Sequence, residues 1–135
     1  MNNVPYTIAL YVRQARKDNG MCIQNQKLAL RQYADSMEDV QNAEILEFVD
    51  NGCSGASFDR PKAQEMFDLV REGKINCILV KNISRLSRSV IDIADCTERF
   101  FPLHGVRFIS IDDTLDTEKL QGGTGSLLWL PQRMT

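Results

Sequence analysis

The chain has 135 residues, of which 43% are hydrophobic, and this is enough for one domain with its own buried core. Its 16 Lys and Arg residues are outnumbered by 18 Asp and Glu residues, which gives a formal net charge of −2. This balance argues against a protein that binds polyanions strongly and without specificity. The sequence has no secretory signal and no apolar run near the ~20 residues that cross a bilayer, so we expect a cytoplasmic protein without a membrane partner.

Apolar runs alternate along the chain with amphipathic segments. We predict strands at 7–12, 44–49, 76–81 and 106–111, and helices at about 23–36, 61–72 and 89–101. This alternation predicts an α/β fold with a mainly parallel sheet of four or more strands flanked by helices. The first helix should bury an apolar stripe that includes Leu28, Leu30 and Met37.

Four arginines lie where the predicted strands give way to loops. Arg13 follows the first strand, Arg60 lies near the end of the Gly- and Ser-containing loop after the second, and Arg85 and Arg88 follow the third. Because the carboxyl ends of parallel strands share one edge of a sheet, these side chains should converge. Arginine stays charged and offers a planar fork of donors to phosphate oxygens. The set therefore predicts a phosphate-binding site, although Arg13 and Arg60 taken alone are each more often ordinary surface residues.

The residue types that bind metals are scattered along the chain. The four cysteines form no C-x-x-C pair, and His104 is the one histidine. The carboxylates form no evident ligand set either. We expect free thiols at Cys22, Cys53, Cys77 and Cys96, the last two buried, and no metal.

Several segments, taken in order, resemble the catalytic domain of serine recombinases, the resolvase, invertase and large serine integrase or transposase family. The resemblance covers roughly residues 6–115 and is carried by Tyr11-x-Arg13, Gln26 at the start of the first helix, Asp50-x-Gly52-x-Ser54-Gly55 with Phe58-x-Arg60-Pro61, the block Val80 to Arg88, and the strand Phe108 to Asp113. The spelling Ser-Arg-Leu-Ser-Arg at 84–88 resembles the large serine recombinases most. The ordered set is far more specific than any one of its members.

The resemblance implies DNA strand exchange in which a serine hydroxyl attacks a backbone phosphodiester and forms a phosphoserine link, without cofactor or metal. It places the four arginines around the scissile phosphate, where guanidinium groups would stabilise the charge of the transition state. It assigns Gln26 to a polar position of the active site, with Ser54 and Ser84 in supporting positions. The implied partners are DNA and other recombinase subunits.

One position departs from the family pattern at the reacting atom. In the pattern Tyr-x-Arg-x-Ser the nucleophile lies two residues after the arginine, and here Ala15 occupies that place. Without an attacking hydroxyl the covalent step cannot begin, so we expect no DNA cleavage. Cys22, Ser54 and Ser84 match other family positions, and a displaced nucleophile attacks poorly. A natural degenerate copy and a deliberate Ser-to-Ala change both remain open.

The last residues depart from the family as well. Family members continue into a long helix for dimerisation and DNA binding, whereas three glycines at 122–125 and Pro131 disfavour such a helix here. We therefore predict a catalytic domain at 1–118 and an atypical tail, truncated or disordered, at 119–135, with weak DNA binding. Two alternatives to a disabled enzyme domain are a degenerate fragment that pairs with active copies and, ranked lower, a binder of small phosphate compounds.

Overall fold

A five-stranded sheet organises the computed structural model, which describes residues 6–14, 21–40, 42–52 and 60–119. The strands are β1 (Thr7–Gln14), β2 (Glu44–Asn51), β3 (Cys77–Val80), β4 (Arg107–Ser110) and β5 (Leu115–Asp116). Their order across the sheet is β2-β1-β3-β4-β5. The first four pair in parallel, and the short edge strand β5 runs antiparallel to β4. The predicted α/β fold with a mainly parallel sheet is confirmed.

Helices cover both faces of this sheet. They are α1 (Met21–Ser36), α2 (Pro61–Arg71), α3 (Ile83–Leu86), α4 (Val90–Asp95), a π-helical turn (Cys96–Phe100) and α5 (Phe101–Leu103), followed after β5 by a 3₁₀ turn (Thr117–Lys119). Successive residues of β1 point to opposite faces. Leu10 and Val12 pack with Leu30 of α1, whereas Ala9 and Tyr11 belong to the core under α2. β1 is therefore buried on both sides, as the central strand of such a sheet requires.

Several elements differ from the sequence-based predictions. The segment 89–101, predicted as one helix, consists of α4, the π-helical turn and the start of α5. The predictions contained neither α3 nor β5, because elements of four and two residues are too short to show a periodic pattern. Leu28 is 59% exposed and not part of the buried stripe. It precedes the buried Leu30 by two residues, and residues two apart lie on roughly opposite sides of a helix.

Cys77 and Cys96 are buried and Cys22 is exposed, all as free thiols. Within the described ranges, every helix falls short of the length and apolarity of a membrane-spanning segment. The predicted tail lies outside the described residues from position 120 onward, as do Cys53, Ala15 and Ser54.

Candidate active site

The four arginines that the sequence predicts to form a site lie at the carboxyl edge of the sheet. Arg13 lies inside β1, which extends to Gln14, whereas the sequence placed it just past the strand. Arg60 immediately precedes α2, and Arg85 lies in α3, the single turn that follows β3. Arg13 and Arg60 are each 1% exposed, Arg85 is half-buried and Arg88 is exposed. The four side chains thus range from the core to the surface.

Backbone carbonyls of the α3 turn hold the buried guanidinium of Arg13. Its Nε donates to the carbonyl of Arg85 at 3.0 Å, and its Nη2 donates to the carbonyl of Ser84 at 2.6 Å. In return, Arg85 Nη1 donates a hydrogen bond to the carbonyl of Arg13 at 3.1 Å. The end of β1 and the α3 turn are therefore locked together by reciprocal arginine-to-backbone bonds. Ser84 contributes its carbonyl to this lock, while its hydroxyl donates to Asn82 Oδ1 at 2.6 Å.

Arg60 grips the same turn from the side of α2. Its Nη1 donates to the carbonyl of Arg85 at 3.2 Å and to the hydroxyl of Tyr11 at 2.9 Å, and its Nη2 donates to the carbonyl of Leu86. The guanidinium also lies over the Tyr11 ring, 5.5 Å from its centroid. A one-turn helix is too short to be stable by its own hydrogen bonds, so these buried donors fix its conformation.

Asp50, at the end of β2, anchors the start of α2. Its Oδ1 accepts from the backbone N–H of Lys62, and its Oδ2 accepts from that of Ala63, both at 3.0 Å. Asp50 Oδ2 also accepts from the Tyr11 hydroxyl at 2.8 Å. A carboxylate at this end of a helix satisfies free N–H groups and favours the helix dipole. The strand thus provides the cap that a residue at position 60 normally would.

The Tyr11 hydroxyl is held in its protonated form. Burial raises the pKa of Tyr11 above its ordinary value; the Arg60 charge opposes this rise, and the Asp50 hydrogen bond adds to it. The protonated hydroxyl can donate to Asp50 while it accepts from Arg60. The sequence motifs include Tyr11 and Asp50 but indicate no role for either. One available signal was Arg60 at the cap position before Pro61, a residue type that cannot cap α2 itself.

The four positive charges act on one another. The pKa of Arg13 is lowered by burial and then by the like charge of Arg60, with further lowering from Arg85 and Arg88, while Tyr11 acts in the opposite direction. Like charges brought this close favour the entry of an anion, which would relieve their repulsion.

Two buried polar atoms beside this cluster lack hydrogen-bond partners. Gln26, 4% exposed, donates from Nε2 to the carbonyl of Arg13 at 3.2 Å. Within the described part of the chain, Gln26 Oε1 and Arg85 Nε are left without a partner. Buried polar atoms are normally paired, so both mark places for a ligand or an ordered water. Arg85 Nε needs an acceptor such as an anion oxygen, and Gln26 Oε1 needs a donor such as a hydroxyl.

The geometry offers no metal site in the part of the chain that it describes. His, Cys, Asp and Glu side chains there form no group of three that could hold a metal ion. The two acidic residues that follow β4 and lie near the α3 turn already accept hydrogen bonds from other groups of the protein. Lys81 bonds both oxygens of Asp112, and Asp113 Oδ2 accepts from the backbone N–H of Ile83 and from the Ser110 hydroxyl. These carboxylates therefore fix the backbone on either side of the site.

Comparisons with known proteins agree on one family. Residues 8–127 match the family model described as Resolvase, N terminal domain. The chain is 39% identical over 69 residues to the transposon Tn917 resolvase of Enterococcus faecalis, a match that covers 51% of this chain and 36% of the relative. The chain therefore spans little more than a third of the length of that curated relative.

Two solved structures share the fold. The N-terminal catalytic domain of TP901-1 integrase is 27% identical, with a TM-score of 0.80 and coverage of 95% of this chain and 93% of that one. A resolvase family site-specific recombinase from Streptococcus pneumoniae is 24% identical, with a TM-score of 0.71 and coverage of 96% and 85%, and it supports the fold alone. Since the family model matches most of its length, the chain belongs to the resolvase family and has the fold of a serine recombinase catalytic domain.

Proposed function

We propose that this chain is the catalytic domain of a site-specific DNA serine recombinase, that its arginine cluster holds a backbone phosphate of DNA, and that it does not cleave DNA because Ala15 replaces the nucleophile. The observation that carries the proposal is the convergence of Arg13 and Arg60 on the α3 turn, which itself carries Arg85. The Arg88 charge is close enough to act on Arg13. A phosphate that enters this cluster would meet fixed donors and a positive potential.

The four arginines would divide the work according to their burial. Arg88 is exposed and Arg85 is half-buried, so these two are placed to meet a phosphate first. Arg13 and Arg60 lie behind them and direct several of their N–H groups at backbone carbonyls. Their charges would still stabilise the nonbridging oxygens of a phosphate in the transition state, because Coulomb interactions weaken only gradually with distance.

The missing hydroxyl limits the chemistry to binding. In the complete reaction a serine Oγ–P bond would form while the bond from phosphorus to the leaving oxygen breaks, and the hydroxyl proton would pass to the leaving side. The methyl group of Ala15 can form no such bond. In a protein that also carries the DNA-binding parts, Ala15→Ser should restore cleavage. A variant that stays inactive there would contradict this account of Ala15.

Anion binding by this domain tests the pocket directly. We expect inorganic phosphate and short DNA duplexes at low ionic strength to bind, with affinity about tenfold lower in Arg85→Ala and in Arg88→Ala, because each loses a charge-assisted hydrogen bond. Arg99→Ala is the matched control, since this exposed arginine is paired with Asp95 on the helical segment beyond the site. Unchanged affinity in both pocket variants would refute the proposal.

The absence of a nucleophile also favours a second function, that of a noncatalytic subunit that pairs with active recombinase copies and reduces their activity. The test mixes this chain with a homologous active recombinase and follows both mixed-oligomer formation and strand cleavage. Mixed oligomers with reduced cleavage would support it. Cleavage unaffected by an excess of this chain would exclude it.

A further inference from the structure

We propose that Tyr11 is a positioning residue, whose hydroxyl aims Arg60 and, through Arg60, fixes the α3 turn that presents Arg85 and Arg88 to a phosphate. The inference rests on the proposed phosphate pocket and gives a specific role to Tyr11, a motif residue to which the sequence analysis assigned none. Tyr11 itself would not touch the ligand, since it is 0% exposed beneath the site.

The two partners of Tyr11 fix the direction of its hydroxyl. The guanidinium of Arg60 can only donate, and the ionised carboxylate of Asp50 can only accept. The single Tyr11 proton must therefore point at Asp50 Oδ2, 2.8 Å away, and the oxygen must accept from Arg60 Nη1 at 2.9 Å. Because Asp50 also caps α2, the hydroxyl is tied to a rigid helix start and not to a mobile side chain.

The fork of Arg60 transmits this position to the α3 turn. Its Nη1 carries two N–H groups, and the observed acceptors are the Tyr11 hydroxyl and the carbonyl of Arg85. The bond to Tyr11 therefore helps to set the plane of the guanidinium, and the plane decides whether Nη1 and Nη2 reach the carbonyls of Arg85 and Leu86 together. Loss of the hydroxyl should let the α3 turn move, and Arg85 and Arg88 would then no longer be held in the position that binds a phosphate.

Tyr11→Phe separates this role from a role in folding. The variant keeps the ring under Arg60 and leaves both bonds from Asp50 to the start of α2 in place, so the domain should still fold. Tyr6→Phe is the matched control. The Tyr6 hydroxyl also lies near an arginine, Arg107, but at the opposite, amino edge of the sheet.

The experiment titrates the full chain with inorganic phosphate and follows the side-chain Nε–H signals of the arginines by NMR. We expect Tyr11→Phe to bind phosphate about fivefold more weakly than the wild type, the effect of one ordinary hydrogen bond, and Tyr6→Phe to bind normally. In an Arg60→Lys background, where the fork is gone, Tyr11→Phe should change the affinity less than twofold. A normal affinity for Tyr11→Phe, or an equal loss in both backgrounds, would overturn the proposal.

Failure of the pocket and failure of the positioning role give different results. Wild-type protein that shows no phosphate binding would refute the pocket. In that event the Arg85 Nε–H signal of the ligand-free proteins still decides whether Tyr11 sets the turn. A signal displaced in Tyr11→Phe but not in Tyr6→Phe would support the link, and identical signals in all three proteins would overturn it.

Discussion

Replacement of Asp50 by Asn should destabilise the domain far more than a typical surface change. The side chain is 3% exposed, and its carboxylate accepts three hydrogen bonds, two from the first turn of α2 and one from Tyr11. Asn keeps one acceptor oxygen and turns the other position into an NH₂ group, which meets a donor where an acceptor is needed. At least one buried donor therefore loses its partner.

The size of the effect follows from these contacts. A lost helix cap costs about 1 kcal/mol, and a buried donor without a partner costs about 1–3 kcal/mol. We expect a loss of about 2–3 kcal/mol in the free energy of unfolding, which for a domain of this size lowers Tm by roughly 10 °C.

Urea denaturation followed by circular dichroism measures this loss. The matched control is Asp68→Asn on the same helix, where the carboxylate is 66% exposed and pairs with Arg71 at the surface. The control should change stability by no more than about 0.5 kcal/mol. If Asp50→Asn unfolds at the same urea concentration as the control, the carboxylate is not the anchor of α2 and Tyr11, and the argument for the site geometry fails with it.

Two further predictions concern titrating groups. The family pattern places position 15 beside the arginine cluster, so in Ala15→Cys the guanidinium groups should lower the thiol pKa, and iodoacetamide at pH 7 should modify position 15 faster than Cys22. Arg88→Ala should slow this reaction. Equal rates at both thiols would argue against a cationic pocket at position 15. Burial raises the pKa of Cys77 and of Cys96 from 9.0 to about 12, so the unfolded chain loses these protons first and the free energy of unfolding should fall as the pH rises from about 9 to 12. Cys77→Ser with Cys96→Ala should flatten this decline, whereas an unchanged slope in urea titrations would assign it to other groups.

The sequence carried the architecture because each long element left a clear pattern. The doubly buried strands read as apolar runs, and the strand-helix alternation required a parallel sheet, whose shared edge brought Arg13 and Arg60 near the α3 turn. The sequence did not predict where the arginine side chains point. Arg13 and Arg60 donate to backbone carbonyls from inside the core, and their partner lies 72 and 25 residues away, respectively. No local pattern records such distant contacts.

Tyr11 and Asp50 illustrate the same limit. Their place in a motif could be recognised, but the bond between them joins neighbouring strands 39 residues apart in the chain. The π-helical turn at Cys96–Phe100 was equally hidden, because it spans five residues inside a longer helical segment.

The crowding of four positive charges has a consequence for the evolution of this domain. Repulsion among the four arginines (Arg13, Arg60, Arg85 and Arg88) lowers the free energy of unfolding. Selection for stability alone would therefore not retain the cluster. Arg88 is exposed and could be lost with little damage to packing. In a copy released from selection for phosphate binding, random substitution would therefore be expected to remove Arg88 early and to leave the buried Arg13 and Arg60, which hold the backbone, until last.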